Sequence, residues 1–369
     1  MNVLVITNLF PNSIEPQRGI FNKQQFLELA KLCNLRVIAP LPFLPSSNIK
    51  EEEIIGGIKT YHPRHCVIPK IGRILTGWFY YFAIRQLARR IQKEFNFDVI
   101  LATWAYPDCY AASLLAKELN KPLVCKVHGS DINVGFESLW RQKFITKAFE
   151  QAKGIVSVSR PLKNKMTRVG ISEAKIIIIP NGIDKTLFKH LDKNVCRQKL
   201  SLDNNKKFIL FIGNLVPVKG LTFLIEAMKT LSTDIHLNIV GEGELKEELV
   251  QQVNTLGLAE RVKFVGKVKH EEIPTWMNAS DVFCLPSLNE GCPNVIVEAI
   301  GCNSSIVATK VGAIPELLAS YSKSILVNPK DTQDLARGLN DIFVKQDDLS
   351  LMSVLSWEEN AQRLYQILK

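Results

Sequence analysis

Short, mostly apolar runs recur along the whole chain, each closed by a polar residue or a turn former. In the first half they fall at Val3–Ile6, Leu35–Ala39, Asp98–Ala102, Leu123–Val127, Gly154–Val158 and Lys175–Ile179. In the second half they fall at Phe208–Ile212, Ile235–Val240, Val262–Val265, Val282–Leu285, Ser305–Ala308 and Ile325–Val327. None alternates cleanly between apolar and polar residues, which is the pattern of parallel strands covered on both faces. Segments with helical spacing lie between them, at Phe21–Lys31, Leu221–Leu231, Glu244–Leu256, Glu271–Ala279, Asn294–Ile300 and Ile314–Ser320. The alternation predicts an α/β chain of two doubly wound, Rossmann-like parallel-sheet domains, residues 1–184 and 185–355. Charged and polar residues dominate positions 184–205, where the boundary is expected. The last stretch, 356–369, puts Trp357, Ala361, Leu364, Tyr365 and Leu368 on one helical stripe that either closes the second domain or crosses back to the first.

Length and composition agree with this. A chain of 369 residues is long for a single core, and 46% hydrophobic with 22% charged residues is ordinary for a globular protein. No apolar run approaches the roughly 18 residues that a membrane helix needs. Met1–Phe10 has no basic leader and runs into Pro11, so it is expected to be a first strand rather than a signal peptide. The cysteines, at 33, 66, 109, 125, 196, 284, 292 and 302, form no C-x-x-C pair, and a reducing, cytoplasmic compartment is expected. His62, His65, His190, His236 and His270 lack metal-ligand spacing, so neither a metal nor another cofactor is expected.

Charge adds an asymmetry. Residues 1–182 hold 25 Lys/Arg against 13 Asp/Glu, whereas residues 183–369 hold 21 against 23. The excess of the first half points to a polyanionic partner: an anionic membrane surface, a diphosphate-linked acceptor or nucleic acid. No helix-turn-helix, zinc finger or RNA-binding aromatic motif accompanies it, so nucleic acid is not expected.

In open α/β sheets ligands bind beyond the carboxyl ends of the strands. The residues there are Pro11–Gly19, His128-Gly129-Ser130-Asp131, Gly213-Asn214 with Lys219-Gly220, Gly241-Glu242-Gly243, and Asn289–Glu298. All five would point into one interdomain cleft if the two sheets face each other. Glu290 lies in a Gly/Pro turn before a helix and Glu298 lies inside it. The free amides of such a helix start can hold a phosphate, and two carboxylates beside it can accept from sugar or ribose hydroxyls. Lys219 is the natural cation for a departing diphosphate, because a charge aimed there acts selectively on the transition state. His128 can donate to a sugar hydroxyl or a phosphate, or serve only its loop. Asp131 can accept from an acceptor hydroxyl or hold a helix start. Gly19 brings bare backbone to a helix N-terminus, and Cys292 reads as a packing residue. No G-x-G-x-x-G follows the first strand, no P-loop occurs, and no strand-linked D-x-D is present.

In this order the motifs resemble family 4 of the retaining glycosyltransferases, of bacterial surface-polysaccharide type, over essentially the whole length. The E-x7-E pattern of Glu290 and Glu298 carries most of the likeness, with Lys219-Gly220, Gly241-Glu242-Gly243, His128-Gly129-Ser130-Asp131 and Ile179–Asp184 beside it. The resemblance implies a GT-B fold, a nucleoside-diphosphate-sugar donor, a lipid-linked or glycan acceptor, no metal, and retention at the anomeric carbon. Glu298 would bind the donor ribose and Glu290 the donor sugar. Gly291, Cys292, Pro293 and Asn294 would surround sugar and diphosphate. Lys219, Gly241, Gly243 and the flexible loop at Gly19 would belong to the donor site, and His128 would lie by the reacting carbon. The family's G-R-x4-K pattern appears here with Asn214 in place of arginine, so one phosphate-facing charge is missing, for which Arg18 is a candidate substitute. A nucleotide-sugar epimerase or a phosphorylase of the same fold is the alternative.

One further segment, 67–90, places Ile71, Ile74, Leu75, Trp78, Phe79 and Phe82 at helical spacing, with Lys70, Arg73, Arg85, Arg89 and Arg90 among them. It reads either as an interfacial amphipathic helix at the inner face of an anionic membrane or as a helix covering the first sheet.

Overall fold

In the computed structural model, residues 1–43, 49–68, 74–345 and 354–369 are described. The chain divides into two compact units, residues 1–182 with 357–369, and residues 183–356.

The first unit is an eight-stranded sheet. Its strands are β1 (Asn2–Thr7), β2 (Asn34–Ile38), β4 (Glu52–Ile55), β5 (Ile58–Tyr61), β7 (Val99–Thr103), β8 (Leu123–Val127), β9 (Gly154–Ser157) and β10 (Ile176–Ile178), in the order β10-β9-β8-β7-β1-β2-β5-β4. A separate parallel pair joins β3 (Leu41–Pro42) to β6 (Arg64–His65). The central strands β1, β7 and β8 are buried almost throughout, as runs without alternation require. Among the described residues only β4 runs antiparallel, as one arm of a hairpin with β5. Sequence patterning misses this hairpin because β4 is a charged edge, Glu52-Glu53-Ile54-Ile55, with Ile54 exposed. Carboxylates on an edge strand guard against sheet extension, and Gly56-Gly57 supplies the two-residue turn.

The second unit is wholly parallel: β11 (Lys207–Ile212), β12 (Ile235–Val240), β13 (Val262–Gly266), β14 (Val282–Leu285), β15 (Ser305–Thr309) and β16 (Ser324–Val327), in the order β13-β12-β11-β14-β15-β16. Strand order reverses on either side of β11, where β12 lies on one flank and β14 on the other. The loops leaving β11 and β14 diverge at such a switch point and leave room for a ligand.

The terminal helix Trp357–Leu368 belongs to the first unit, where Ala361, Leu364 and Leu368 join the core of Val3, Phe26 and Leu29. A buried polar chain fixes it. Lys126 Nζ donates to Gln25 Oε1 at 2.8 Å, Gln25 Nε2 donates to Asn360 Oδ1, and Asn360 Nδ2 donates to the Pro180 carbonyl at 2.6 Å. Lys126 is fully buried on β8, and Gln25 gives its Nζ a hydrogen-bond acceptor there.

The helix Thr76–Phe95 separates the two readings of its segment by face. Gly77, Tyr80, Tyr81, Ile84, Ala88 and Ile91 are its buried stripe, and its neighbours include the helix Tyr110–Leu119 and β6. Ile74, Leu75, Trp78 and Phe82 nevertheless stay exposed, Phe82 at 58%. Arg85 and Arg89 both pair with Glu118, and Arg90 with Glu52 and Glu94. Lys70, Ile71 and Arg73 lie outside the described residues.

Candidate active site

In the second unit, the chain leaving β11 turns through Pro217–Lys219 into the helix Leu221–Ala227. Lys219 Nζ donates to Glu290 Oε1 at 2.7 Å, and Ser287 Oγ donates to the same oxygen at 2.6 Å. Both ends of the lysine–carboxylate pair are largely shielded, Glu290 at 11% exposure and Lys219 at 21%. Two devices hold them together. The Leu288 amide donates to the Val218 carbonyl at 2.8 Å. Gly220, at φ 65°, passes so close to residue 286 that a Cβ would sit 2.2 Å from the Pro286 carbonyl oxygen. Glycine is required there both for the left-handed backbone and for the approach.

The turn carrying Glu290 is braced from the far side by residues 309–313. Thr309 Oγ1 donates to the Ser287 carbonyl at 2.5 Å, and the Ala313 amide donates to the Gly291 carbonyl at 3.0 Å. Helix Asn294–Gly301 follows, with Pro293 at its N-cap, no capping side chain and no acidic residue in its first turn. Its start is therefore compatible with an anion. Cys292 is buried in that turn.

Glu298, one turn into the helix, meets a partner the sequence reading did not select. His270 Nε2 lies 3.0 Å from Glu298 Oε1, each side chain being 14% exposed. Burial lowers the His270 pKa, but the hydrogen bond and charge of Glu298, with the charges of Glu271 and Asp184, outweigh it and leave the histidine above its ordinary value. Phe188 packs edge-on against the ring at 5.2 Å. No spacing rule connects positions 270 and 298; only the fold of β13 and the helix after β14 brings them together.

Gly241 and Gly243 sit in the loop after β12, and this loop runs along the loop after β11. The Gly213 amide donates to the Val240 carbonyl and the Leu215 amide to the Glu242 carbonyl, at 3.0 and 2.9 Å. The two glycines thus have a packing role in seating residues 213–215. Asn214 is exposed on that loop.

In the first unit, His128 follows β8 directly. Its ring packs against Phe21 at 4.8 Å and stacks on Trp104 at 6.2 Å. Both ring nitrogens are buried, and among the described residues neither has a hydrogen-bond partner. Burial, reinforced by the charge of Lys126, pushes its pKa well below the ordinary value, so the ring is a neutral imidazole. Trp104 itself has φ 115°, a strained backbone for a bulky residue.

Asp131 is placed at the start of the short helix Ser130–Gly135 and is almost fully buried. One carboxylate oxygen accepts from the amides of His128, Gly129 and Ile132, and the other from Ala105, all within 2.8–3.0 Å. It organises the turn that aims His128, and an acceptor hydroxyl would have to compete with four amides for it.

Gly19 caps the helix Ile20–Leu29, where a Cβ would lie 2.3 Å from the Leu9 carbonyl oxygen. Asn22 donates to that same oxygen at 2.8 Å and so holds the loop from within the helix. Arg18 is engaged locally: Nε donates to the Asn8 carbonyl at 3.1 Å, and the guanidinium pairs with Glu15 at 2.9 Å.

Known proteins resemble the chain over most of its length. Two family models match in succession, Glycosyltransferase Family 4 over residues 28–187 and Glycosyl transferases group 1 over residues 192–363. A Bacillus subtilis glycosyltransferase named for teichuronic acid biosynthesis, TuaC, is 29% identical over 361 residues, 92% of this chain and 88% of that one. The sucrose-phosphate synthase of Thermosynechococcus elongatus superposes with a TM-score of 0.84 at 19% identity, covering 100% of this chain and 98% of its own. Anabaena HepE, solved with UDP and glucose, superposes at 0.77 and 21% identity, covering 100% and 99%. At these identities the two structures bear on the fold alone. The chain is a glycosyltransferase of family 4, built as a GT-B fold of two Rossmann-like domains.

Proposed function

We propose that this glycosyltransferase moves a sugar from a nucleoside-diphosphate donor to a lipid-linked or glycan acceptor in cell-surface polysaccharide synthesis, with retention at the anomeric carbon and without a metal ion. The observation that carries the reading is the Lys219–Glu290–Ser287 cluster beside His270–Glu298, at the strand-order reversal of the second unit. HepE was solved with UDP and glucose, which supports a nucleotide-sugar donor here.

In this reading Glu298, oriented by His270, accepts from the donor ribose. Glu290 and residues Gly291–Asn294 surround the sugar and diphosphate. A diphosphate competes with Glu290 for Lys219, and the lysine then stabilises charge growing on the leaving group. Gly241 and Gly243 support the donor loop through their packing on residues 213–215, and Asn214 offers a neutral donor where an arginine is usual. Gly19 shapes the loop after β1 by its close approach to Leu9, the loop that the family likeness assigns to the donor diphosphate. His128, neutral and with unpartnered ring nitrogens, donates to a sugar hydroxyl rather than attracting phosphate. Asp131 holds His128 in place and so acts on the acceptor side indirectly. Glu290 and Glu298 are not an acid–nucleophile pair of the glycosidase kind, because each has its own cationic or imidazole partner. The acceptor hydroxyl attacks on the face from which the diphosphate leaves, a donor phosphate oxygen takes its proton, and the protein contributes orientation and electrostatics.

The place of work is the cytoplasmic face of an anionic membrane. The basic first half and the exposed face of Thr76–Phe95 support this, and among the described residues no helix is long and apolar enough to cross a membrane. A thermal-shift screen with UDP, GDP, ADP and their common sugars tests the donor reading. One nucleotide family raises the melting temperature if the reading holds; no shift with any of them refutes it.

A further inference from the structure

The first unit contains a cavity of about 340 Å³ that the donor chemistry does not use. Its lining includes the aromatic and apolar Trp104, Tyr106 and Pro107, the polar Ser130 and Asp131, and the cation Arg141. Arg141 stands on the helix Leu139–Gln151, its guanidinium 5.1 Å from the Trp140 ring centroid. Its Nε is buried without a hydrogen-bond partner, and among the described residues no carboxylate pairs with it. A guanidinium keeps its charge at any working pH, and a buried Nε without a partner calls for an acceptor, best an anion. Asp131 does not serve, because its carboxylate is taken by four backbone amides.

The cavity adjoins an apolar surface. Thr76, at the start of the helix Thr76–Phe95, lines it. Tyr106 fastens that helix start, its hydroxyl donating to the Ile74 carbonyl at 2.9 Å and accepting from the Gly77 amide at 2.8 Å. From there Ile74, Leu75, Trp78 and Phe82 form an exposed stripe, and Val134, on the cavity wall, is exposed too. A cation inside an aromatic cavity and an apolar strip leading away from it are complementary to an amphiphile with an anionic head.

We propose that this cavity is the acceptor-head site, that Arg141 grips a diphosphate joining the acceptor sugar to a lipid, and that the lipid leaves over Ile74, Leu75, Trp78 and Phe82. The proposal rests on the reading of the first unit as the acceptor side of the transferase. It makes Arg141 a determinant of acceptor class, and it makes the apolar stripe, rather than the paired arginines 85, 89 and 90, the main lipid contact.

The test is calorimetric titration of the full chain with farnesyl diphosphate, inorganic pyrophosphate and farnesol, each at a saturating level of whichever nucleoside diphosphate the protein binds, so that the donor site is occupied. Farnesyl diphosphate should bind, farnesol should not, and Arg141→Gln should weaken farnesyl diphosphate at least tenfold while nucleotide affinity stays the same. Arg141→Lys, which keeps the charge and loses the fork, should fall between and serves if the glutamine variant folds poorly. Trp78→Ser with Phe82→Ser should weaken farnesyl diphosphate but leave pyrophosphate unchanged. Undiminished farnesyl diphosphate binding in Arg141→Gln and Arg141→Lys, or none in the wild type, overturns the proposal. Pyrophosphate binding as tightly as farnesyl diphosphate overturns the lipid path and leaves free phosphate as the ligand. Nucleotide binding is read in the preceding titration, so a failure of the transferase reading is visible separately.

Discussion

Lys219 and Glu290 lie 71 residues apart in sequence and 2.7 Å apart in space, joined across the gap between the strands at which sheet order reverses. The pair gives the lysine a structural partner that its position at a helix start does not suggest, since a cation there is unfavourable with the helix dipole. Replacing Lys219 by Met should therefore cost about 1–2 kcal/mol of stability, limited by Ser287, which still donates to Glu290. Turnover should fall far more, about 100- to 1,000-fold, if the lysine meets a leaving diphosphate. The double variant Lys219→Met/Glu290→Gln should regain most of the stability and none of the activity. Melting curves beside steady-state kinetics separate these effects, and near-normal turnover in Lys219→Met would refute the role.

His270 makes the second unit pH-sensitive in a defined direction. Its folded pKa is raised above the ordinary 6.5. Its contribution to stability is thus complete below that value and disappears as pH rises through the higher folded one. His270→Ala should remove this slope and weaken nucleotide binding about tenfold, roughly 1.4 kcal/mol, by releasing Glu298. Chemical denaturation and nucleotide titration from pH 5.5 to 8.5 provide the measurement. An unaltered pH slope in the variant would contradict the assignment.

His128 should show no titration in the same range. Burial and the neighbouring Lys126 hold it neutral, so its imidazole carbon resonances should stay constant from pH 5.5 to 8.5, and the pH–rate profile should have no limb that His128→Gln removes. A protonation step of this ring near neutrality would exclude the neutral-donor role.

Asp131→Ala should destabilise the first unit by about 3 kcal/mol, because four shielded backbone amides lose their acceptor together. Asp131→Asn keeps one carbonyl oxygen and should recover part of this. Equal melting temperatures for alanine and wild type would mean that the turn does not depend on the carboxylate.

The strand pattern was legible because buried parallel strands are short apolar runs with turn formers behind them. Leu123–Val127, Ile235–Val240 and Val282–Leu285 have the same limits in sequence and structure. The β4–β5 hairpin was not legible, since its edge strand carries glutamates where a buried strand carries valine. The helix Thr76–Phe95 shows a different limit: periodicity marks the stripe through Ile74, Trp78 and Phe82, whereas the stripe that packs runs through Tyr80, Ile84 and Ala88. At the site, Lys219, Glu290 and Glu298 were selectable because motif and strand end coincide. Ser287, Thr309 and His270 were not, because they act through distances between strands that no local spacing records. Arg141 escaped for the same reason: on a helix surface an arginine is ordinary until the aromatic lining of its cavity is known.

Glu298 holding the ribose of a nucleoside diphosphate is the central element of the proposed donor site. The direct measurement is calorimetric titration of wild type and Glu298→Ala with UDP, GDP and ADP, with melting curves confirming that both are folded. One of the three should bind the wild type, and the variant should lose about 2–4 kcal/mol of that binding through the missing charge-assisted hydrogen bonds, an affinity drop of roughly 30- to 1,000-fold. Equal affinity in the two proteins would contradict the account.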